Sequence, residues 1–312
     1  MKIKLIILLA IISILTVSCG EESNQKTDKP QTYEQSINEG KLTVYVDTLL
    51  TDIIEPIMGF YRESYPKIEL NVNYINSRRA VALLFSGEAE VIVLSRNYLK
   101  DEDSLNKEFS LNRPEMVMAE DGLVFFVNSQ SKLDTLNDEQ IFNILTNGKN
   151  FKDYFKHLNE EPELVTTNVN NSHYHNLIHS AARNGNVTRN IKLFNSTSEV
   201  LDFVKNNDNA IGVAYLSNLV KKPEFKMLRI GFINKDGKRI PPQIVHQGFI
   251  VQEKYPYIVE HKVILREDRK NKPFWFASYL SKETKVQKFL MDYGIVPAFA
   301  KVVLVPSENQ VK

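Results

Sequence analysis

KLTVYVDTLLTDIIEPIMGFYRESYPKIELNVNYINSRRAVALLFSGEAEVIVL, residues 41–94, is the stretch whose reading decides the fold. Residues 41–46 are a short β-branched run and read as a strand. Residues 52–65 place Ile53, Ile54, Ile57, Met58, Phe60 and Tyr61 on one side of a helix that Pro66 closes. In residues 68–74 the apolar Ile68, Leu70, Val72 and Tyr74 alternate with polar neighbours, the period of a half-buried strand. A helix over residues 77–85, closed by Gly87, and a strand over residues 90–94 complete a βαβαβ unit. Strands that alternate with helices signal a parallel sheet with crossover helices, and hence an α/β protein.

The same alternation continues downstream. After a charged connection, residues 122–128 (GLVFFVN) read as a strongly apolar strand. Asn137 then caps a helix whose Gln140 reaches back to it, and that helix ends near Gly148. A second α/β lobe follows: strand 163–169, helix 172–183, strand 191–194, helix 198–206 and strand 210–214. Residues 247–252 and 259–265 read as further strands, and residues 273–280 and 283–293 as helices, the last ending at Gly294. The expected division is residues 41–127 with 246–306 for lobe one and residues 128–245 for lobe two.

Ahead of the lobes, Lys2 and Lys4 precede an apolar run from Leu5 to Val17, the charged n-region and h-region of a signal peptide over residues 1–18. The run is too short to span a bilayer. It stops at Ser18-Cys19-Gly20, which resembles a lipobox, so Cys19 is expected to be lipidated rather than to be a core thiol. Residues 19–40 then form a tether, since residues 20–31 lack any large apolar side chain to offset the entropy of ordering them. Cys19 is the one cysteine of the chain, so the body holds no disulfide and depends on its core. A hydrophobic fraction of 43% over 312 residues is enough for that. The formal net charge of +1 comes from interspersed charges with no basic stripe, which argues against nucleic acid as a partner.

Enzyme signatures are missing from the sequence. It has no G-x-S-x-G elbow, no phosphate-binding P-loop and no dinucleotide fingerprint. His173, His175 and His179 lie close together, but the stretch from His175 to His179 lacks the glutamate of a zinc hydrolase helix. The expectation is a protein without enzymatic activity, metal or cofactor.

Several stretches together resemble the phosphate-binding (PstS-like) periplasmic solute-binding lipoproteins, in particular the diverged branch common in the Bacteroidetes. They are Val46-Asp47, Phe60-Tyr61 with Tyr65-Pro66, residues 93–96 (VLSR), 122–128, 136–145 (LNDEQIFNIL), 209–215 (NAIGVAY) and 273–280 (PFWFASYL). The likeness covers residues 41–306. It implies a two-lobed type II periplasmic-binding-protein fold, each lobe a mostly parallel sheet flanked by helices, with crossings near Asn128 and His246 and the C-terminal helices returning to lobe one. It also implies a monomer on the cell envelope, lipid-anchored on the periplasmic or surface face. There it would capture a small inorganic oxyanion, phosphate first, for delivery to an ABC permease. The rival expectation is an envelope-assembly or adhesion lipoprotein that keeps the fold without small-molecule affinity.

An oxyanion in a cleft is held by hydroxyls, backbone N–H groups at helix starts and a guanidinium. The candidate loops supply Thr48 and Thr51, Ser77 and Arg78, Ser95 and Arg96, and Asn171, Ser172 and His173, although such residues are also ordinary N-caps. Arg96 is the expected charge partner because its fork gives two parallel hydrogen bonds. His173 is expected to add positive charge below about pH 6.5. Two departures from the family stand out. In the lobe-two loop, Ser172, Tyr174 and Asn176 align with the family's Ser, Thr and Arg, and the better-known branch keeps an aspartate after the third strand where this chain reads Leu94-Ser95-Arg96.

Overall fold

The computed structural model describes residues 37–111 and 113–299. The expected leader, Cys19 and most of the tether lie outside the described residues, as do residues 300–306. The first unit forms as read: β1 (Gly40–Asp47), α1 (Thr51–Ser64), β2 (Ile68–Ile75), α2 (Ser77–Ser86) and β3 (Val91–Leu94). α1 buries Ile53, Ile54, Ile57, Met58 and Tyr61 on the face its spacing predicts. Asn76 opens α2 by accepting from the Arg79 backbone N–H at 2.8 Å, and Gly87 closes it at φ 83°, a left-handed conformation that a residue without Cβ adopts cheaply. β1 lies between β2 and β3 and runs parallel to both.

The charged connection after β3 holds more structure than its composition suggests. It contains α3 (Lys100–Glu108) and the first half of β4 (Glu115–Asn128). β4 joins the lobes. Its residues from Glu115 to Gly122 pair with β12 (Ile258–Leu265), and Leu123 to Phe126 pair with β8 (Ala210–Tyr215). The resulting sheet order is β2-β1-β3-β12-β4-β8-β6-β7, with β6 (Glu163–Thr167) parallel to both β7 (Ile191–Phe194) and β8. β9 (Phe225–Met227) and β13 (Val296–Pro297) add to β4 off this path.

Lobe two also carries α4 (Asp138–Thr146), α5 (Phe151–Tyr154), α6 (Ser172–Asn176) and α7 (Thr197–Lys205). The capping box of α4 forms as expected, with the Asn137 N–H donating to Gln140 Oε1 at 3.0 Å. A small sheet of β11 (Arg239–Gln243), β10 (Arg229–Ile233) and β5 (Thr135–Asn137) sits beside it, and none of its strands is legible as part of an alternating pattern. Residues 247–252 depart from expectation. They form a short helix, α8 (Gln247–Val251), because the His246 ring accepts from the Gly248 backbone N–H and caps it. α9 (Lys272–Lys282) and α10 (Thr284–Tyr293) pack on β4, β12 and α1 and so return the chain to lobe one.

Each lobe has its own apolar core. Val44, Val46, Ile54, Ile57, Val93, Phe276 and Leu280 anchor lobe one, and Phe125, Val165, Leu177, Val204 and Val213 anchor lobe two. Among the described residues no helix is long and apolar enough to cross a membrane.

Candidate functional site at the lobe seam

Parallel strands end where their following helices begin, so β1, β2, β3 and β6 deliver their C-terminal loops to one level between the lobes. Buried polar groups gather there. Asp47 ends β1, accepts from the Leu49 backbone N–H at 3.2 Å, and receives the Ser172 hydroxyl from lobe two. Burial pushes the Asp47 carboxyl above the usual carboxylate range, against the lowering pull of the Ser172 and Leu49 hydrogen bonds and of Arg96. Ser77, at the start of α2, donates to the Asn170 carbonyl at 3.1 Å, and the Arg78 backbone N–H reaches the same oxygen at 3.2 Å. Asn176 donates to the Ser95 carbonyl at 2.6 Å and to the Tyr215 hydroxyl at 2.8 Å. The Asn218 amide donates to the Leu49 carbonyl at 3.2 Å. Direct hydrogen bonds therefore join the lobes.

The expected residues separate into groups. Ser77, Ser95, Arg96, Asn171, Ser172 and His173 are all buried at this level. Thr48 and Thr51 lie at its mouth, where with Asn218, Lys222 and the turn from Ser196 to Ser198 they line a cavity of about 270 Å³. Arg78 turns its side chain away from the seam, to Asp101 and Glu102.

Arg96 is buried but committed. Its Nη1 and Nη2 donate to the two oxygens of Glu102 at 2.6 and 2.9 Å, Nη1 also donates to the Asn97 carbonyl, and Nε donates to Ser77 Oγ at 2.9 Å. Four of its five N–H donors are in use, which leaves one for any other acceptor. Truncating Arg96 to alanine would leave Glu102 buried without its bidentate partner, so it costs folding stability as well as charge.

His173 also departs from expectation. Its Nε2 faces Asn218 Oδ1 at 3.1 Å inside a fully buried pocket against the Tyr215 ring. Burial pushes its pKa down to about 3, so it stays neutral through the range in which the sequence suggested a second positive charge. With Nε2 donating, Nδ1 is a bare acceptor, and it has no partner in the protein. The same is true of Asn171 Oδ1 and Ser95 Oγ. Asn171 holds the first position before α6, yet its side chain caps nothing. His179 faces Asn184 instead, away from His173.

Beneath the seam lies a second layer. Asp121, in the middle of β4, accepts from His261 Nε2 at 3.0 Å and from the Gly122 and Ser217 backbone N–H groups, and both ionisable side chains are fully buried. His261 was detectable in the sequence, since strand alternation puts it in phase with Val259 and Val263. Asp121 was not, because a carboxyl beside a GLVFFVN run looks like the last residue of a loop.

Residues 35–291 match the model of the PBP superfamily domain. The chain belongs to the PBP superfamily. Solved structures share its fold at low identity, and the fold is the type II periplasmic-binding-protein fold. One, from Clostridium perfringens and assigned as a phosphate ABC transporter substrate-binding protein with bound phosphate, superposes with a TM-score of 0.69 at 14% identity, over 83% of this chain and 99% of that one. Another, an ABC-type phosphate transport receptor from Vibrio cholerae, gives 0.63 at 17% identity, over 83% of this chain and all (100%) of that one. In sequence the chain is 24% identical over 119 residues to phosphate-binding protein PstS 2 of Streptococcus agalactiae, and that match spans 38% of this chain and 39% of the relative.

Proposed function

We propose that this PBP superfamily member is a non-enzymatic solute-binding protein that takes a small oxyanion, phosphate first, at the lobe seam. The carrying observation is a group of three buried seam atoms without a protein partner, Ser95 Oγ, Asn171 Oδ1 and His173 Nδ1. Buried polar atoms are almost always hydrogen-bonded, so such a set marks where a ligand's groups would go. Two of the three can only accept. The ligand must therefore donate hydrogen bonds as well as accept them, which a protonated phosphate does and a fully ionised sulfate does not. The donors to its oxygens would be the Ser95 hydroxyl and the remaining Arg96 N–H, because the hydroxyl protons of Ser77 and Ser172 already go to Asn170 and Asp47.

The relatives' names favour the same ligand and suggest delivery to an ABC permease. The lipobox-like Ser18-Cys19-Gly20 supports a lipid anchor that keeps a single chain on the envelope. In this reading the lobes are residues 41–127 with 246–306 and residues 128–245, bending near Asn128 and His246.

Calorimetric titration at about pH 7 tests it. Phosphate is expected to bind and sulfate to bind at least tenfold more weakly. Ser95→Ala removes a hydroxyl with no protein partner, so it should leave stability unchanged while costing about 1 kcal/mol of phosphate binding, roughly fivefold. Equal binding of the two anions, or no effect of Ser95→Ala, would refute the assignment.

A further inference from the structure

Arg96 at the seam and Arg78 behind it converge on a carboxylate of the chain itself. Glu102 Oε1 accepts from Arg78 Nη1 and Arg96 Nη2, both at 2.9 Å, and Oε2 accepts from Arg96 Nη1 at 2.6 Å and from the Leu99 backbone N–H at 2.8 Å. Two guanidinium groups and a backbone N–H at a helix start are the donors an oxyanion would take, and they hold a glutamate.

The helix carrying it is otherwise loosely attached. α3 has the sequence KDEDSLNKE, and Glu102 is its one buried residue. Leu105 and, just past its end, Phe109 are 44% and 63% exposed rather than packed into either lobe. Beyond Glu102, its other ion pair with the body among the described residues is the two-pronged pairing of Asp101 with Arg78, which is open to water. A helix this polar, without an apolar face in a core, has little to hold it but its anchoring charge.

We propose that Glu102 is a built-in competing anion and that α3 is a latch it holds shut: a ligand oxyanion at the seam exchanges with the Glu102 carboxylate on Arg96, and α3 detaches as it does. This rests on the oxyanion reading above and adds to it a residue that sets the affinity. The exchange is one anion for another on the Arg96 guanidinium, so that buried cation keeps a counter-charge, while the half-exposed Arg78 turns to water. A ligand with too few acceptors to replace two guanidinium contacts would leave the latch closed, which makes Glu102 a selectivity filter as well.

Glu102→Gln tests the latch, because glutamine keeps the size and an oxygen for Leu99 but gives up the charge that competes. Two measurements are made on the mature chain, with inorganic phosphate as the probe. Titration is expected to show Glu102→Gln binding phosphate about tenfold more tightly than the wild type. Hydrogen exchange is expected to show the amides of residues 103–108 losing protection when phosphate is added to the wild type, and losing it without phosphate in Glu102→Gln. If the wild type binds phosphate and Glu102→Gln binds it equally or more weakly, Glu102 only positions Arg96; the latch is overturned and the oxyanion reading stands. If neither chain binds phosphate, the oxyanion reading fails and the latch fails with it. Unchanged protection of residues 103–108 in every sample also overturns the latch.

Discussion

His173 shows how burial can reverse the role a side chain suggests. A histidine beside Asn171 and Ser172 looks like a cation in waiting, but at full burial the charged form loses its hydration and the neutral ring wins. The consequence for stability has a definite sign. The unfolded chain binds a proton on His173 near pH 6.5 and the folded one only near pH 3, so between these values the unfolded state holds more protons and stability falls as pH falls. His175, pushed down to about 4 by burial, acts in the same direction. Asp47 has the opposite slope, because its raised pKa makes the folded state hold the extra proton. His173→Gln should therefore lose less stability than the wild type between about pH 7 and pH 4, by up to a few kcal/mol, in urea melts at both pH values. Parallel losses in the two proteins would show that His173 is not the group responsible.

Among the elements, β4 and β8 show the tightest dependence on one residue. Gly212 lies in β8 opposite Phe126 of β4, and a Cβ at that position would overlap the Phe126 ring. The ring is buried and packs edge-on against Phe225 at 5.3 Å, so it has nowhere to move. Gly212→Ala is accordingly expected to cost about 3 kcal/mol, read as a lowered urea midpoint, whereas at Gly59, where no atom lies near the added Cβ, alanine should be tolerated. Other elements were easier to foresee. α1, α2, α4, β6 and β7 each follow their own local pattern, while α8 forms where a strand was expected because five residues of mixed polarity do not distinguish the two periods.

Over the whole molecule, the lobes share the strand β4 and are joined by the Asp47, Ser77, Asn176 and Asn218 contacts. Such coupling favours one cooperative unfolding transition rather than two. A ligand bound only by the joined lobes stabilises that single state: phosphate at 100 times its dissociation constant should add about 2.7 kcal/mol. At about 2–4 °C per kcal/mol for a protein of this size, the melting temperature should rise by roughly 5–10 °C. Scanning calorimetry with phosphate and with equal sulfate checks this: one peak shifted by phosphate is expected, and two peaks, or no shift, would count against a ligand held between the lobes.

Local information in the chain settled much of this. The period-2 and period-3.6 patterns of residues 41–94 and 163–214, the Asn76 and Asn137 caps and the Gly87 stop depend on neighbours within one turn or one strand, so they are readable without the fold. They also put Ser77, Ser95 and Ser172 at strand ends and helix starts, and the resemblance implied that those ends share one cleft. Which groups those residues face depends on contacts between positions far apart in sequence, such as Ser172 with Asp47 and His261 with Asp121. Only the tertiary structure could decide that Arg96 spends its fork on Glu102, that the Arg78 side chain points away, and that His173 is fully buried. Hydrogen-bond partners and dehydration are properties of the packed interior, and the sequence specifies them only through the fold.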